Sequence, residues 1–420
     1  MKITLIHCYS DHNLGDTGII YSIHDLAKMA KPDVDIRAMS VFSSKDIRFD
    51  TDHKHTRKII NNIYPCFYPE PGIQNIKNTK KVSSVYKIIN FIKYLFVNFL
   101  IYLTKSKSVA KALLNKKEYI AFENFISSDK IISKGGSFLY SFKGVNGTLF
   151  FFRMIYPFYL AKRFGIDSYI YSQSIGPFEN KSSRFLFNMI QPHIKKIYLR
   201  ESHCLKYIKS KSDNIKIIND SAFSLNAPVP EKEKTDIYKV AITARPHDFK
   251  EKKQGDIYIE SLLNLIDYLN EKKYEVYLVP QVTGPSKGED DREILKVLYA
   301  KSKCKERLFY LSEDYDPRQI KSFYGEMDYL VGTRLHSTIF ALGMDTPCIN
   351  IAYHGTKSEG IMGALGLEDF VLDIETLTPN KLLHKFKELE IRKNEVEKII
   401  NIQIPKVELK LEQSMHDILS

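Results

Sequence analysis

Residues 328–352, DYLVGTRLHSTIFALGMDTPCINIA, carry the reading on which the fold turns. Residues 328–331 form a short apolar run that predicts a strand. A small-residue loop follows, residues 335–342 carry a helical pattern, and 348–352 return to a continuous apolar strand. A strand, helix and strand in so short a span imply parallel pairing, because only a crossover connection joins parallel neighbours. The same alternation runs upstream, with strands predicted at 238–244, 274–279 and 307–311 and helices at 258–271 and 288–300. It also fills the N-terminal half, with strands at 2–8, 34–40, 130–133, 168–172 and 197–199 and helices at 17–30 and 149–164. Between the halves lies NAPVPEKEKTD, residues 226–236, proline-bearing and charged with little to bury, which is the best linker. The expectation is an α/β protein of two Rossmann-like domains, 1–228 and 236–385, with a helical tail over 386–420.

The totals agree with two domains. A chain of 420 residues with 44% hydrophobic residues is long enough for two cores of about 200 residues each. Five dispersed cysteines with no CxxC suit a reducing compartment, and Cys8 and Cys348 sit in apolar runs as buried thiols. The chain opens directly on a strand pattern, KITLIH, without a secretory signal, so a cytoplasmic protein is expected. The net charge of +12 favours anionic partners, while the motifs of nucleic-acid readers are missing, so no nucleic-acid partner is expected.

An insert over about 42–125 interrupts the first domain, and within it residues 86–103 read YKIINFIKYLFVNFLIYL. Lys87, Asn90, Lys93 and Asn98 break this run too often for a comfortable bilayer span. Lys105, Lys107, Lys111, Lys116 and Lys117 follow. Apolar bulk beside lysines suits a helix lying on an anionic membrane surface, and the alternative is a helix hidden in the core.

In open α/β sheets ligands bind beyond the carboxyl ends of the strands. Those positions here hold Asn13-Leu-Gly15-Asp16, Gly135-Gly136-Ser137, Gln173-Ser-Ile-Gly-Pro177, Arg200-Glu201-Ser202, Arg245-Pro-His247, Arg334-Leu-His336-Ser337 and Tyr353-His354-Gly355-Thr356-Lys357. Taken singly, each is ordinary loop chemistry. Together they place polar, basic and glycine-rich loops on one edge of both sheets, which would make an interdomain cleft an anion site. The sharpest is 332–337, GTRLHS, a small-residue loop entering a helix N-terminus, where backbone N–H groups and the dipole favour an anion. Arg334 offers a fork for carboxylate or phosphate, or else pairs with a structural carboxylate. His336 offers a proton carrier near neutral pH, or else caps the helix. His247 and His354 read as loop histidines, and Asp290-Asp291 as an acidic complement to a helix start. A metal cluster, a GxSxG elbow and a P-loop are all missing, so no metal or cofactor is expected.

In this order the stations resemble the polysaccharide pyruvyl transferase family: Asn13-x-Gly15-Asp16, Gly135-Gly136, QSIGP at 173–177, Arg200-Glu201-Ser202, Asp220-Ser-Ala-Phe223, Arg245, RLHS at 334–337, and Tyr353 with Lys357 and Gly360. The resemblance spans roughly residues 3–365 and leaves out the 42–125 insert. It implies a GT-B-like fold with the site between the domains, phosphoenolpyruvate as donor, and a pyruvate ketal formed on two hydroxyls of one sugar without a metal. It implies a cell-surface polysaccharide precursor, commonly linked to a polyprenyl diphosphate, as acceptor, and so a peripheral enzyme at the inner membrane face. Carried over, Arg334 and Arg245 would hold the donor, Lys357 would neutralise its phosphate, and His336 would protonate its methylene carbon. Asp16 would serve the attacking hydroxyl with Asn13 beside it, and Gly135, Gly136, Gln173 and Ser337 would line the substrate site. The competing readings are a GT-B glycosyltransferase using a nucleotide sugar, for which Glu359 is a lone ribose-gripping candidate, and a non-catalytic scaffold.

Overall fold

A computed structural model describes residues 1–68, 84–209, 214–231, 236–353 and 356–420, with the side chains of 84–88, 287 and 356 also left aside. His354 and Gly355, and residues 232–235 of the expected linker, lie outside the described residues. The chain divides into two compact units. The first comprises Met1–Asp11, Ile19–Asp220 and Glu412–Ser420, the second His12–Gly18 and Ser221–Leu411.

The first unit is built in chain order from β1 (Lys2–Cys8), α1 (Leu14–Ala30), β2 (Asp35–Ser43), α2 (Ile47–Thr51), α3 (Thr56–Ile59), β3 (Ile63–Cys66), α4 (Ser84–Thr104), α5 (Lys107–Leu113), α6 (Lys116–Ile126), β4 (Lys130–Ser133), β5 (Gly136–Ser141), α7 (Val145–Phe164), β6 (Asp167–Phe178), α8 (Lys181–Ile190), β7 (Lys196–Leu199) and β8 (Ile215–Ile217). The strands form one parallel sheet in the order β3-β2-β1-β4-β6-β7-β8, with β5 paired to β6. Near-continuous burial along β1, β2 and β4 is what a parallel sheet covered on both faces demands. The insert is part of this core rather than an appendage. Phe67, Phe122 and Phe125 are fully buried and meet edge to face, with ring centroids 5.7–5.9 Å apart.

The second unit continues with β9 (Lys239–Thr243), α9 (Lys252–Glu271), β10 (Glu275–Leu278), α10 (Asp291–Lys301), β11 (Leu308–Tyr310), α11 (Pro317–Gly325), β12 (Tyr329–Gly332), α12 (Leu335–Leu342), β13 (Cys348–Ala352), α13 (Thr356–Gly363), β14 (Val371–Asp373), α14 (Pro379–Ile391) and α15 (Lys393–Leu419). Its sheet is parallel in the order β11-β10-β9-β12-β13-β14. The order reverses between β9 and β12, the switch point at which strand-end loops diverge and leave room for a ligand.

Two expectations change. Gln173–Pro177 is not a loop but the second half of β6: the register shifts against β7 between Ile170 and Gln173, and β5 pairs alongside. Gly136 likewise opens strand β5 instead of sitting in a turn. In both cases a neighbouring strand takes up the backbone hydrogen bonds, which the polar side chains gave no reason to expect. Cys8 and Cys348 are buried free thiols.

Candidate functional site

The second unit brings seven of the expected residues together: Asn13 and Asp16 at one helix start, and Arg245, Arg334, His336, Ser337 and Lys357 at the carboxyl ends of its strands. Asn13 caps α1: its Oδ1 accepts from the backbone N–H groups of Gly15 and Asp16 at 3.1 and 3.3 Å. Its Nδ2 donates to Asp16 Oδ2 at 2.8 Å, orienting that carboxylate. Asn13 also bridges Val282 in antiparallel fashion, and the Leu14 N–H donates to the Gln281 carbonyl after β10. The first turn of α1 is thereby tied to the second sheet.

His336 stands in the first turn of α12, half-buried, over this same turn of α1. A Cβ added at Gly15 would overlap the imidazole of His336. Only glycine allows that approach. The side chain thus sits where Asn13, Gly15 and Asp16 meet the start of α12, among the N–H groups of two helix N-termini.

The loop before His336 is held from three sides. Arg334 donates through Nε and Nη2 to Asp291 Oδ1 at 3.0 and 2.6 Å, and Nη2 reaches the Glu289 carbonyl at 2.8 Å. Asp291 Oδ2 also accepts from the N–H groups of Gln281 and Val282 at 3.1 and 2.9 Å. Asp291 stands in the first turn of α10, as its place at a helix start led one to expect, but it is fully buried. Burial pushes its carboxyl upward, while the Arg334 guanidinium and two N–H donors pull it back. Arginine does not give up its proton, so the two remain an ion pair. Ser337 is buried with its hydroxyl turned inward, donating to the Arg334 carbonyl at 2.6 Å and meeting Thr243 at 2.8 Å. Thr333 joins the Tyr258 hydroxyl at 2.8 Å. The Arg334–Asp291 pair therefore anchors the loop as well as charging it.

Arg245, half-buried after β9, lays its guanidinium over the Tyr353 ring with 3.8 Å to the centroid, and its Nε donates to the Pro246 carbonyl. Lys357 is half-buried in the first turn of α13. His247 faces Glu375 at 3.2 Å, as a loop histidine would, and Glu359 is exposed on α13.

Gly135, Gly136 and Gln173 belong to the first unit. Gly135 lies so close to β6 that a Cβ would stand 2.5 Å from the Ser172 carbonyl oxygen. Gln173 is fully buried, donating to the Ser174 carbonyl at 3.1 Å. The Arg200 station beside them is a closed polar knot. The guanidinium, with its side chain 2% exposed, contacts Glu201 at 3.1 Å, Asp220 at 2.7 Å, Ser137 at 2.8 Å and Ser174 at 2.6 Å. Four of the sequence stations therefore meet at one arginine. Sequence reading missed Asp291 as the partner of Arg334, since nothing in a linear pattern links groups 43 positions apart. It also assigned no role to Lys134, which is fully buried at the end of β4 with its amine 3.4 Å from the Gly135 carbonyl oxygen. Among the described residues, no group of three or more His, Cys, Asp or Glu side chains is placed to hold a metal.

Two parallel sheets, each with its loops at the strand ends, define an α/β protein of two Rossmann-like domains. The profile of the polysaccharide pyruvyl transferase family matches residues 29–355, and the chain belongs to that family. It is similar to the amylovoran biosynthesis protein AmsJ of Erwinia amylovora, 26% identical over 405 residues, covering 92% of this chain and 91% of that protein. In fold it is similar to the UDP-GlcNAc 2-epimerase of Neisseria meningitidis (TM-score 0.56, 11% identity, 100% of this chain and 99% of that one). It is also similar to the glycotransferase of kitacinnamycin (TM-score 0.53, 9% identity, 100% and 98%). At such identities the likeness concerns the fold, which is of the GT-B kind.

Proposed function

We propose that this polysaccharide pyruvyl transferase takes its pyruvyl group from phosphoenolpyruvate and closes it as a cyclic ketal on two hydroxyls of one sugar. The acceptor is a lipid-linked precursor reached from the cytoplasmic face of the membrane. The observation that supports the reading best is the seat of His336, an imidazole over Gly15 and near Asp16, on a loop anchored by an arginine. Arg245 and Lys357 meet the donor's carboxylate and phosphate, whose charge near neutral pH calls for fixed cations and helix N-termini. Arg334, already bound to Asp291, acts chiefly by positioning that loop and keeping its charge beside it. Its role thus shifts from gripping the donor to holding the histidine.

His336 gives a proton to the methylene carbon of the enol, leaving C2 cationic. Asp16 accepts the proton of the first sugar hydroxyl as its oxygen bonds to C2. The C2–O bond to phosphate then breaks, and a second hydroxyl closes the ketal as its proton passes to the departing phosphate. No metal is required by these steps.

The test is phosphate release from phosphoenolpyruvate with galactose-, mannose-, glucose- and N-acetylmannosamine-bearing lipid-linked acceptors. Acceptor-dependent release is expected, with His336→Ala lowering kcat by about 10²–10⁴-fold at unchanged melting temperature. Asp16→Asn should lower kcat while leaving donor binding intact. Silence across the panel, with no thermal stabilisation by phosphoenolpyruvate, would overturn the reading and favour a nucleotide-sugar donor.

A further inference from the structure

Helix α4 is apolar on two opposite faces. One packs inward through Asn90, Tyr94, Val97, Asn98 and Ile101, all buried. The asparagine that breaks the hydrophobic run most deeply, Asn98, donates through Nδ2 to the Phe67 carbonyl at 3.1 Å, and its backbone carbonyl accepts from the Tyr156 hydroxyl. Asn90 and Asn98 therefore do not dilute the outer surface. That surface carries Ile89, Ile92, Phe96, Phe99 and Leu103, each 57–60% exposed. At about 100° per residue these five fall within an arc of roughly 80°, opposite the buried face. A helix apolar all round belongs in a core or in lipid. This one has its second face in solvent.

The surroundings favour one occupant. From residue 84 to 117 there is no Asp or Glu, while Lys93, Lys105, Lys107, Lys111, Lys116 and Lys117 are all exposed. Two copies paired along this stripe would bring lysines against lysines with no carboxylate in α4 or α5 to offset them. An anionic bilayer surface supplies the missing charge and the apolar medium together. Beside the stripe a cavity of about 290 Å³ opens between Lys45 and Lys93, with Asn115 and the carboxylate of Glu118 among its lining residues. The Glu118 carboxylate, which accepts from the Tyr94 hydroxyl, offsets one of the two amines, so the stripe and its exposed lysines rather than this cavity meet the membrane. Among the described residues no helix is long and apolar enough to cross a membrane.

We infer that α4 lies flat in the interface of an anionic membrane, inserting its Ile89–Leu103 stripe while the exposed Lys93, Lys105 and Lys107 meet the anionic headgroups. This deepens the membrane side of the proposed function and rests on that side alone. Transfer to an acceptor lacking the lipid tests the chemistry separately.

The experiment is flotation of the full chain with vesicles of phosphatidylcholine alone or with a third phosphatidylglycerol, alongside sedimentation without vesicles. Binding is expected only to the anionic vesicles, weakened by salt. Phe96→Glu/Phe99→Glu should lower it about tenfold or more at unchanged melting temperature. Lys93→Gln/Lys105→Gln/Lys107→Gln should lower it less and remove part of the salt dependence. Turnover on a lipid-free acceptor should stay unchanged in both. Absence of flotation, equal flotation with neutral vesicles, or a dimer that the Phe96→Glu/Phe99→Glu variant dissociates would each overturn the inference. Turnover lost with flotation intact would count against the chemistry instead.

Discussion

Two arginines close two strands, and they do different work. Arg200 follows β7 in the first unit and Arg334 follows β12 in the second. Arg200 meets two carboxylates and two serine hydroxyls and is sealed from solvent. Arg334 meets one carboxylate, and two residues on stands a histidine over the start of another helix. A knot with two negative charges around one positive has nothing left for an anionic ligand. A pair that nearly cancels, in a loop that carries an imidazole, keeps its surroundings receptive to one. On the proposed function, the difference separates a residue that holds a domain together from one that holds a site.

The comparison can be broken most directly at its closed end. Arg200→Met leaves Glu201 and Asp220 buried without their cation and is expected to cost about 3–5 kcal/mol, seen as a large drop in the urea midpoint. Arg334→Met should cost less stability, since Asp291 keeps two backbone donors, yet lose most of the turnover. Equal stability losses, or activity surviving at Arg334, would erase the distinction.

A smaller effect is expected at Gly15. Gly15→Ala forces a methyl against His336 and should cost about 1–3 kcal/mol by overpacking, with kcat falling further than that loss accounts for. A stable variant with full turnover would show that the imidazole need not sit on this turn.

An effect that is negligible near neutral pH and grows only on acidification sharpens the account of the first unit. Burial lowers His53 from the usual histidine range to about 3, and it stays neutral beside Ser40. Below about pH 6.5 the unfolded chain takes up a proton that the folded chain refuses, so stability falls with pH until about 3 and then levels. The slope is about tenfold in the folding constant per pH unit. His53→Gln should flatten the melting-temperature profile by that amount across this window, and an unchanged slope would show that His53 is protonated in the fold.

Much of the architecture was legible in the chain. The strands at 130–133 and 348–352 and the helix at 335–342 stand where the pattern put them. Of the missed strands, β3, β8 and β14 are three or four residues long at sheet edges, and β3 contains Pro65, which edge positions tolerate. Such strands carry too little periodic signal to read. The loop stations were legible too, but not which would be open. Ser337 and Gln173 looked like ligand groups and turned inward, because a hydroxyl or amide beside unpaired backbone finds its partner there first.

The sequence by itself determined the alternating parallel architecture, the order of polar stations along it, and the lysine-rich setting of one apolar segment. Those are local or periodic properties, readable from neighbours. Only the tertiary structure decided that Asp291 claims Arg334, that Gly15 lies under His336, that four stations converge on Arg200, and that the asparagines of α4 face inward. Each of these joins residues distant in sequence or fixes which way a side chain turns, and only packing settles that.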